Sequence, residues 1–176
     1  MKIHYKEIGM HNGNLLILGA GQYGFVARDV ARAMGCYEKI DFLDDNSPLA
    51  VGKMGDCERF LVEYSHAIVA IGNPQLRLQL IEKLQTVGFD VPVLVHPRAV
   101  VMPTAVVGGG SVVEPMAVVN SNSEVGIGCI ISAGAVVNHN SVLGDGCHVD
   151  CNATVPARSI LSPQTKVFCG TVYEEK

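Results

Sequence analysis

The 176-residue sequence predicts two parts, a small α/β domain over residues 1–94 and a left-handed parallel β-helix of about four coils over 95–176. Three observations predict it. Aliphatic residues recur at every sixth position from Val101 to Val167, twelve in a row. Before residue 95 that period is absent, and strand-like and helix-like stretches alternate instead. A glycine-rich turn, GAGQYG at 19–24, joins the first strand to the first helix.

In the first part, NLLIL (14–18) reads as a short buried strand, and FVARDVARAMG as a helix stopped by Gly35. KIDFLDD (39–45) is a second strand, closed by the turn DDNSP (44–48). HAIVAIG (66–72) is a third, followed by a helix over 73–88 with Pro74 in its first turn and Gly88 as C-cap. VPVLV (91–95) reads as the strand that closes the set. Strand–helix–strand alternation of this kind builds a small parallel sheet.

In the second part, a small residue follows each of the first eleven aliphatic positions by four, from Ala105 and Ser111 through Cys129 and Cys147 to Thr165. Two interlocked tracks of period six define a hexapeptide solenoid. The aliphatic side chain fills the interior, and the small one fits where the chain turns inward. Gly108, Gly126 and Gly144 recur at a spacing of 18, which implies three units per coil. Coils then stack roughly 4.8 Å apart, with residue i under residue i+18. A β-sandwich of short strands would need period-two alternation instead.

Composition narrows the function classes. Charged residues make up 17% of the chain, below the usual share of about 25%, and the net charge is −4. An acidic, weakly charged chain gives no reason to expect nucleic-acid or membrane-surface binding. The start MKIHYKEIGMHNG has no apolar signal core and no apolar run is long enough to span a bilayer, so a cytoplasmic protein is expected. The six cysteines form no CxxC pair and read as reduced thiols. Cys129 and Cys147 stack as interior fillers, while Cys151 and Cys169 stack at an outer corner with no histidine or carboxylate ladder beside them; no metal is expected.

Two places have the residue types for chemistry. GAGQYG fits GxGxxG in the right context, where glycines let a phosphate approach the backbone and the helix N-terminus favours its charge. Asp44 and Asp45 end the next strand, where a ribose or base contact belongs. A tight strand–helix turn without a ligand is the alternative. In the solenoid, His139 falls two residues past the interior Val137, at an outward corner. An imidazole there is the best general base in a chain with few charges, and an ordinary surface histidine is the competing reading. The backbone N–H of Ala157, one coil above His139, is the candidate oxyanion donor. His148 lies half a coil on and faces another side, so one subunit does not easily bring both histidines to one substrate, whereas two neighbouring subunits could.

The order of GAGQYG, DFLDDN, VAIGNPQLR, LVHPRAVV and VVNHNSVLGDGCHV resembles the NeuD/PglD-type bacterial sugar O- and N-acyltransferases, over residues 14–170. The resemblance implies a Rossmann-like N-terminal domain that holds a nucleotide sugar, a homotrimer with active sites between subunits, and acetyl-CoA lying along the solenoid. It implies His139 as base and His148 in the acetyl-CoA site. Gly19, Gly21, Gln22 and Tyr23 match the sugar-nucleotide loop, with Asp44, Asp45, Asn73 and Arg77 as further candidates. The family often carries an acid after the motif histidine, to orient and polarise it. Here that residue is Asn140, an amide that can fix the ring by hydrogen bonding. Many members also run further coils that help hold CoA, so weaker CoA binding or a changed acyl donor is expected of this chain. The leading expectation is acetyl transfer from acetyl-CoA to a UDP-4-amino sugar for surface-glycan synthesis. O-acetylation of a sialic acid or other sugar is a variant of it. A non-catalytic trimeric nucleotide-sugar-binding scaffold and a nicotinamide oxidoreductase are the other readings.

Overall fold

The structure is a computed structural model that describes residues 13–174, together with the backbone of residues 2–4. Strand β1 (Lys2–His4) leads, followed by β2 (Gly13–Leu18), helix α1 (Gln22–Met34), β3 (Tyr37–Leu43), β4 (Ala50–Gly52), a 3₁₀ helix (Met54–Phe60), β5 (His66–Val69) and helix α2 (Pro74–Val87). Four of these strands form a parallel sheet in the order β4-β3-β2-β5. Helix α1 ends on Gly35 and α2 on Gly88, both left-handed as the sequence suggests. Successive residues of β2 serve opposite layers. Leu15 and Ile17 pack with Ala27 and Val30 of α1, whereas Leu16 and Leu18 pack with Ile81 and Leu84 of α2. Burial on both faces is why this strand reads as an unbroken apolar run.

The segment 91–95 does not close this sheet as expected. Only Asp90 bridges His66, and Leu94–Val95 instead forms β6, the first strand of the solenoid, paired with Val112–Val113. Pro92, which has no N–H to donate, stands between the two and uses its carbonyl to accept from Gly110.

From β6 onward twelve two- or three-residue strands run to Leu161 in four complete turns, and Lys166–Val167 begins a fifth. They stack into three parallel sheets with a register of 18, as in Val118↔Val136 and Val136↔Thr154. This is a left-handed β-helix with a Rossmann-like domain at its N-terminal end. The period-six aliphatic residues form one buried column set with the small track between them. Each fully buried aliphatic side chain contributes about 1.5–3 kcal/mol. Strand β1 pairs antiparallel with Val106–Gly108, covering the free edge of the first coil. Cores are shared across the junction, because Leu94 and Val112 belong to the α1 cluster and Ile127 packs on the α2 cluster.

The glycine column marks a corner without room for a side chain. A Cβ on Gly144 would sit 2.5 Å from the Pro163 nitrogen and 2.8 Å from its Cα, both main-chain atoms that cannot swing away. Gly144→Ala is therefore expected to cost about 1–3 kcal/mol by overpacking. Thermal unfolding of the variant checks this, and an unchanged midpoint would show that the corner relaxes freely.

Candidate functional site

The first candidate region is the crevice at the carboxyl ends of β2, β3 and β5, where the strand order reverses between β2 and β5. Such a switch point is where open α/β sheets take ligands. Gly19 adopts φ +107° and donates its N–H to Leu43 O at 2.8 Å, while Ala20 donates to Asp44 Oδ2 at 2.8 Å. Gly24 is forced by contact, since a Cβ there would overlap the Gly19 carbonyl. Gly21 caps α1 without a side-chain hydrogen bond, and a Cβ on it would meet nothing within 4 Å. The N–H groups of Gln22, Tyr23 and Gly24 find no acceptor among the described residues, and no acid occupies the first turn. Open space in front of unpaired N–H groups at a 13-residue helix is an arrangement that accepts a phosphate.

The other candidates from the sequence are tied down differently. Asp44 accepts from Ala20, and also from Asn46 and Ser47 at 2.9 Å each; these N–H groups, Ala20 first, hold its carboxyl below the usual range. Asp45 Oδ1 accepts from Met54 N–H at 3.2 Å, and Asn73 Oδ1 caps α2 through Leu76 N–H at 2.9 Å. All three shape the loops that rim the crevice. Tyr23 is corrected in part, because its hydroxyl is fully buried beside the Glu114 carboxyl, outside good hydrogen-bond geometry, and does not face the loop opening.

Arg77 is a clear correction. It is 1% exposed, and its guanidinium donates to the carbonyls of Ile71 (2.7 Å), Gly72 (3.1 Å), Gly128 (2.7 Å) and Gly146 (3.0 Å). The last two belong to stacked corners of the solenoid, so Arg77 rivets α2 to the β-helix, with four of its five N–H donors spent on main-chain carbonyls.

The second region is the corner between β13 (Val136–Val137) and β14 (Val142–Leu143), which carries His139 half-exposed. Asn140, at φ +59°, places its amide nitrogen 2.7 Å from His139 Nδ1. One coil below, the Asn122 amide donates to Asn140 Oδ1 at 3.4 Å. His139 N–H is held by Asn138 Oδ1 at 2.8 Å. One coil above, the Ala157 N–H follows Pro156 and has no acceptor among the described residues. A ring fixed at Nδ1 with a free N–H beside it can move a proton and hold a developing negative charge.

The third region carries His148 on β15 (His148–Val149), in a different sheet from β13 and β14. Its Nε2 lies 3.1 Å from Ser132 Oγ and 3.9 Å from Asp150 Oδ1, and Asp150 in turn pairs with Lys166 at 3.1 Å. Burial lowers the His148 pKa, with Asp150 opposing. Glu114, one coil below Ser132, is buried, accepts from Ala133 N–H at 3.1 Å, and has its pKa raised by that burial. Sequence reasoning missed Glu114, Ser132 and Asn122. The 18-residue offsets 114/132/150 and 122/140 could have found them.

A folded pKa below the unfolded value near 6.5 means that the unfolded chain binds the extra proton. The His148 contribution is thus lost as pH falls below about 6.5. Glu114 acts in the opposite sense, so the two must be separated. The expected result is that wild type loses more melting temperature than His148→Gln between pH 7.5 and 5.5, and equal losses would show that His148 titrates normally.

Among the described residues, no group of three or more His, Cys, Asp or Glu could hold a metal, and no helix is long and apolar enough to cross a membrane. Residues 14–84 match the family model described as the PglD N-terminal domain. The chain is 31% identical over 113 residues to UDP-N-acetylbacillosamine N-acetyltransferase of Bacillus subtilis (strain 168), 57% of this chain and 50% of that protein. It thus spans half the length of that relative. It superposes with TM-score 0.88 and 32% identity on the acetyltransferase domain of PglB from Neisseria gonorrhoeae FA1090, covering 92% of this chain and 82% of that one. The same domain in complex with acetyl coenzyme A matches at TM-score 0.74 over 92% and 87%. A mutant GDP-perosamine N-acetyl transferase from Caulobacter crescentus, solved with CoA and GDP-perosamine, matches at TM-score 0.80 and 26% identity over 92% and 89%. With both parts of the fold and nearly the whole described chain matched in this way, the chain belongs to the NeuD/PglD-type family of bacterial sugar O- and N-acyltransferases.

Proposed function

We propose that the protein transfers an acetyl group from acetyl-CoA to the amine of a nucleotide-linked 4-amino sugar. The observation that carries this reading is the match over 92% of the chain to an acetyltransferase domain solved with acetyl coenzyme A. The Caulobacter relative, solved with CoA and a GDP-linked amino sugar, supports the acceptor class, as does the name of the Bacillus relative. In this reading the diphosphate of the sugar nucleotide sits on Gly19, Gly21 and the N–H groups that begin α1, with Gln22 and the Asp44, Asp45 and Asn73 loops at the rim.

With the ring proton on Nδ1, His139 Nε2 takes a proton from the sugar amine as the amine nitrogen bonds to the thioester carbonyl carbon. The oxygen gains negative charge, which the Ala157 N–H receives. Collapse breaks the carbon–sulfur bond, and the thiolate takes the proton back from the imidazolium. No acyl-enzyme is needed. His139 stands at the β13–β14 corner and His148 on β15, in a third sheet of the same chain; in this reading a site using both is built between subunits. A homotrimer provides it, with the neighbour's His148 lining the acetyl-CoA. The protein works in the cytoplasm, supplying acetylated sugar for surface glycans.

The test is a thiol-release assay with acetyl-CoA and a panel of UDP- and GDP-linked 4-amino sugars. Release that depends on one sugar supports the proposal. Silence across the panel, with acetyl-CoA also failing to raise the melting temperature, would overturn it in favour of a nucleotide-sugar-binding scaffold.

A further inference from the structure

We infer that Asn122 is a positioning residue for His139, acting through Asn140 as the lower rung of a reversible amide ladder. The inference rests on the proposed role of His139 as base. Three stacked corners form the ladder. Thr104 Oγ1 accepts the backbone N–H of Asn122 at 3.0 Å, the Asn122 amide donates to Asn140 Oδ1 at 3.4 Å, and the Asn140 amide donates to His139 Nδ1 at 2.7 Å.

In that sense of the ladder the neutral ring carries its proton on Nε2, where it cannot accept another. The ring is a base at Nε2 only with the proton on Nδ1, and Nδ1–H then needs an acceptor. Asn140 supplies one by turning its amide over, so that Oδ1 faces Nδ1–H and Nδ2–H points down the ladder. That turn leaves a donor to be satisfied below. Asn122 satisfies it, because an amide presents an acceptor as well as a donor. Asn122 thus makes the productive tautomer available, which a residue with only donors there would forbid.

Backbone conformation alone does not explain the asparagine. Asn122 has φ +57°, but Met116, Arg158 and Gln164 hold the same left-handed corner conformation at φ 64° to 66°. The corner therefore accepts several side chains, and what sets Asn122 apart is the amide stacked one coil above it. A family acid beside the histidine would accept from Nδ1–H by itself. An amide needs a second group to fix which end it offers.

The experiment is ¹⁵N-histidine NMR of the full chain at a pH where the His139 ring is neutral, with Asn122→Asp and Asn122→Gly beside wild type. Both substitutions tolerate positive φ. A carboxylate can only accept, so Asn122→Asp is expected to raise the share of ring protonated at Nδ1, and Asn122→Gly, which offers neither donor nor acceptor, to leave that share below the one in Asn122→Asp. In the acetyl-transfer assay, Asn122→Gly is expected to show a kcat roughly 3- to 10-fold below that of Asn122→Asp, the loss of one hydrogen bond, with the KM for acetyl-CoA unchanged. Asn122→Asp keeps kcat at wild type or above. Equal tautomer shares in all three proteins would overturn the inference. The NMR result does not depend on turnover, so shifted tautomers together with a silent assay and no rise in melting temperature with acetyl-CoA would refute the proposed function and leave the ladder standing.

Discussion

His139→Ala is expected to lower kcat by about 10²- to 10⁴-fold, the range that a positioned general base supplies. The cause is local, because the ring stands at a half-exposed corner and its loss opens no core cavity. The backbone N–H of residue 139 still bonds Asn138 Oδ1, and its carbonyl still accepts from Arg158. The melting temperature should therefore stay close to wild type, and so should the KM for acetyl-CoA. Steady-state kinetics with the sugar identified in the panel, together with a melt of the same preparation, measures both quantities. A fully active variant would remove His139 from the mechanism.

Arg77→Ala is expected to have the largest effect on stability. It leaves four main-chain carbonyls without their donor, those of Gly128 and Gly146 in buried bonds that water cannot replace. Orphaned buried acceptors cost about 1–3 kcal/mol each, and allowing for partial relaxation the loss is about 3–5 kcal/mol. For a domain of this size that is a fall on the order of 10 °C in melting temperature. Arg77→Lys separates this role from the sugar contact read in the sequence. A lysine keeps the charge but lacks the planar fork that reaches carbonyls on two sides. The riveting role predicts a lower melting temperature for Arg77→Lys, and acetyl transfer lost only as the fold is lost. A sugar contact predicts the reverse, a raised KM for the sugar at an unchanged melting temperature.

The corner requirement shows how a signal can be present and still go unread. Positive φ occurs at every sixth residue from Gly110 to Gly170, held by glycine at 110, 128, 134, 146 and 170 and by asparagine at 122, 140 and 152. The two residue types that favour that conformation are therefore enriched on a third track of period six. Met116, Arg158 and Gln164 interrupt it, which is why it does not stand out beside the unbroken aliphatic track. By the resemblance, Asn140 is a departure from a family acid. Seen in the fold, it is also a corner residue stacked on Asn122.

The sequence alone determined the hexapeptide solenoid, its 18-residue stacking, the glycine loop between β2 and α1, and the outward corner bearing His139. All of these arise from short-range spacing, and a repeating fold copies one local rule from coil to coil. The tertiary structure decided what the junction does. Arg77 reaches carbonyls 51 and 69 residues away, Tyr23 turns its hydroxyl toward Glu114, and Leu94 leaves the α/β sheet to start the solenoid. No period links those positions, because two unlike layers meet there once, and only their packing determines which side chains are consumed in the contact and which remain for a ligand.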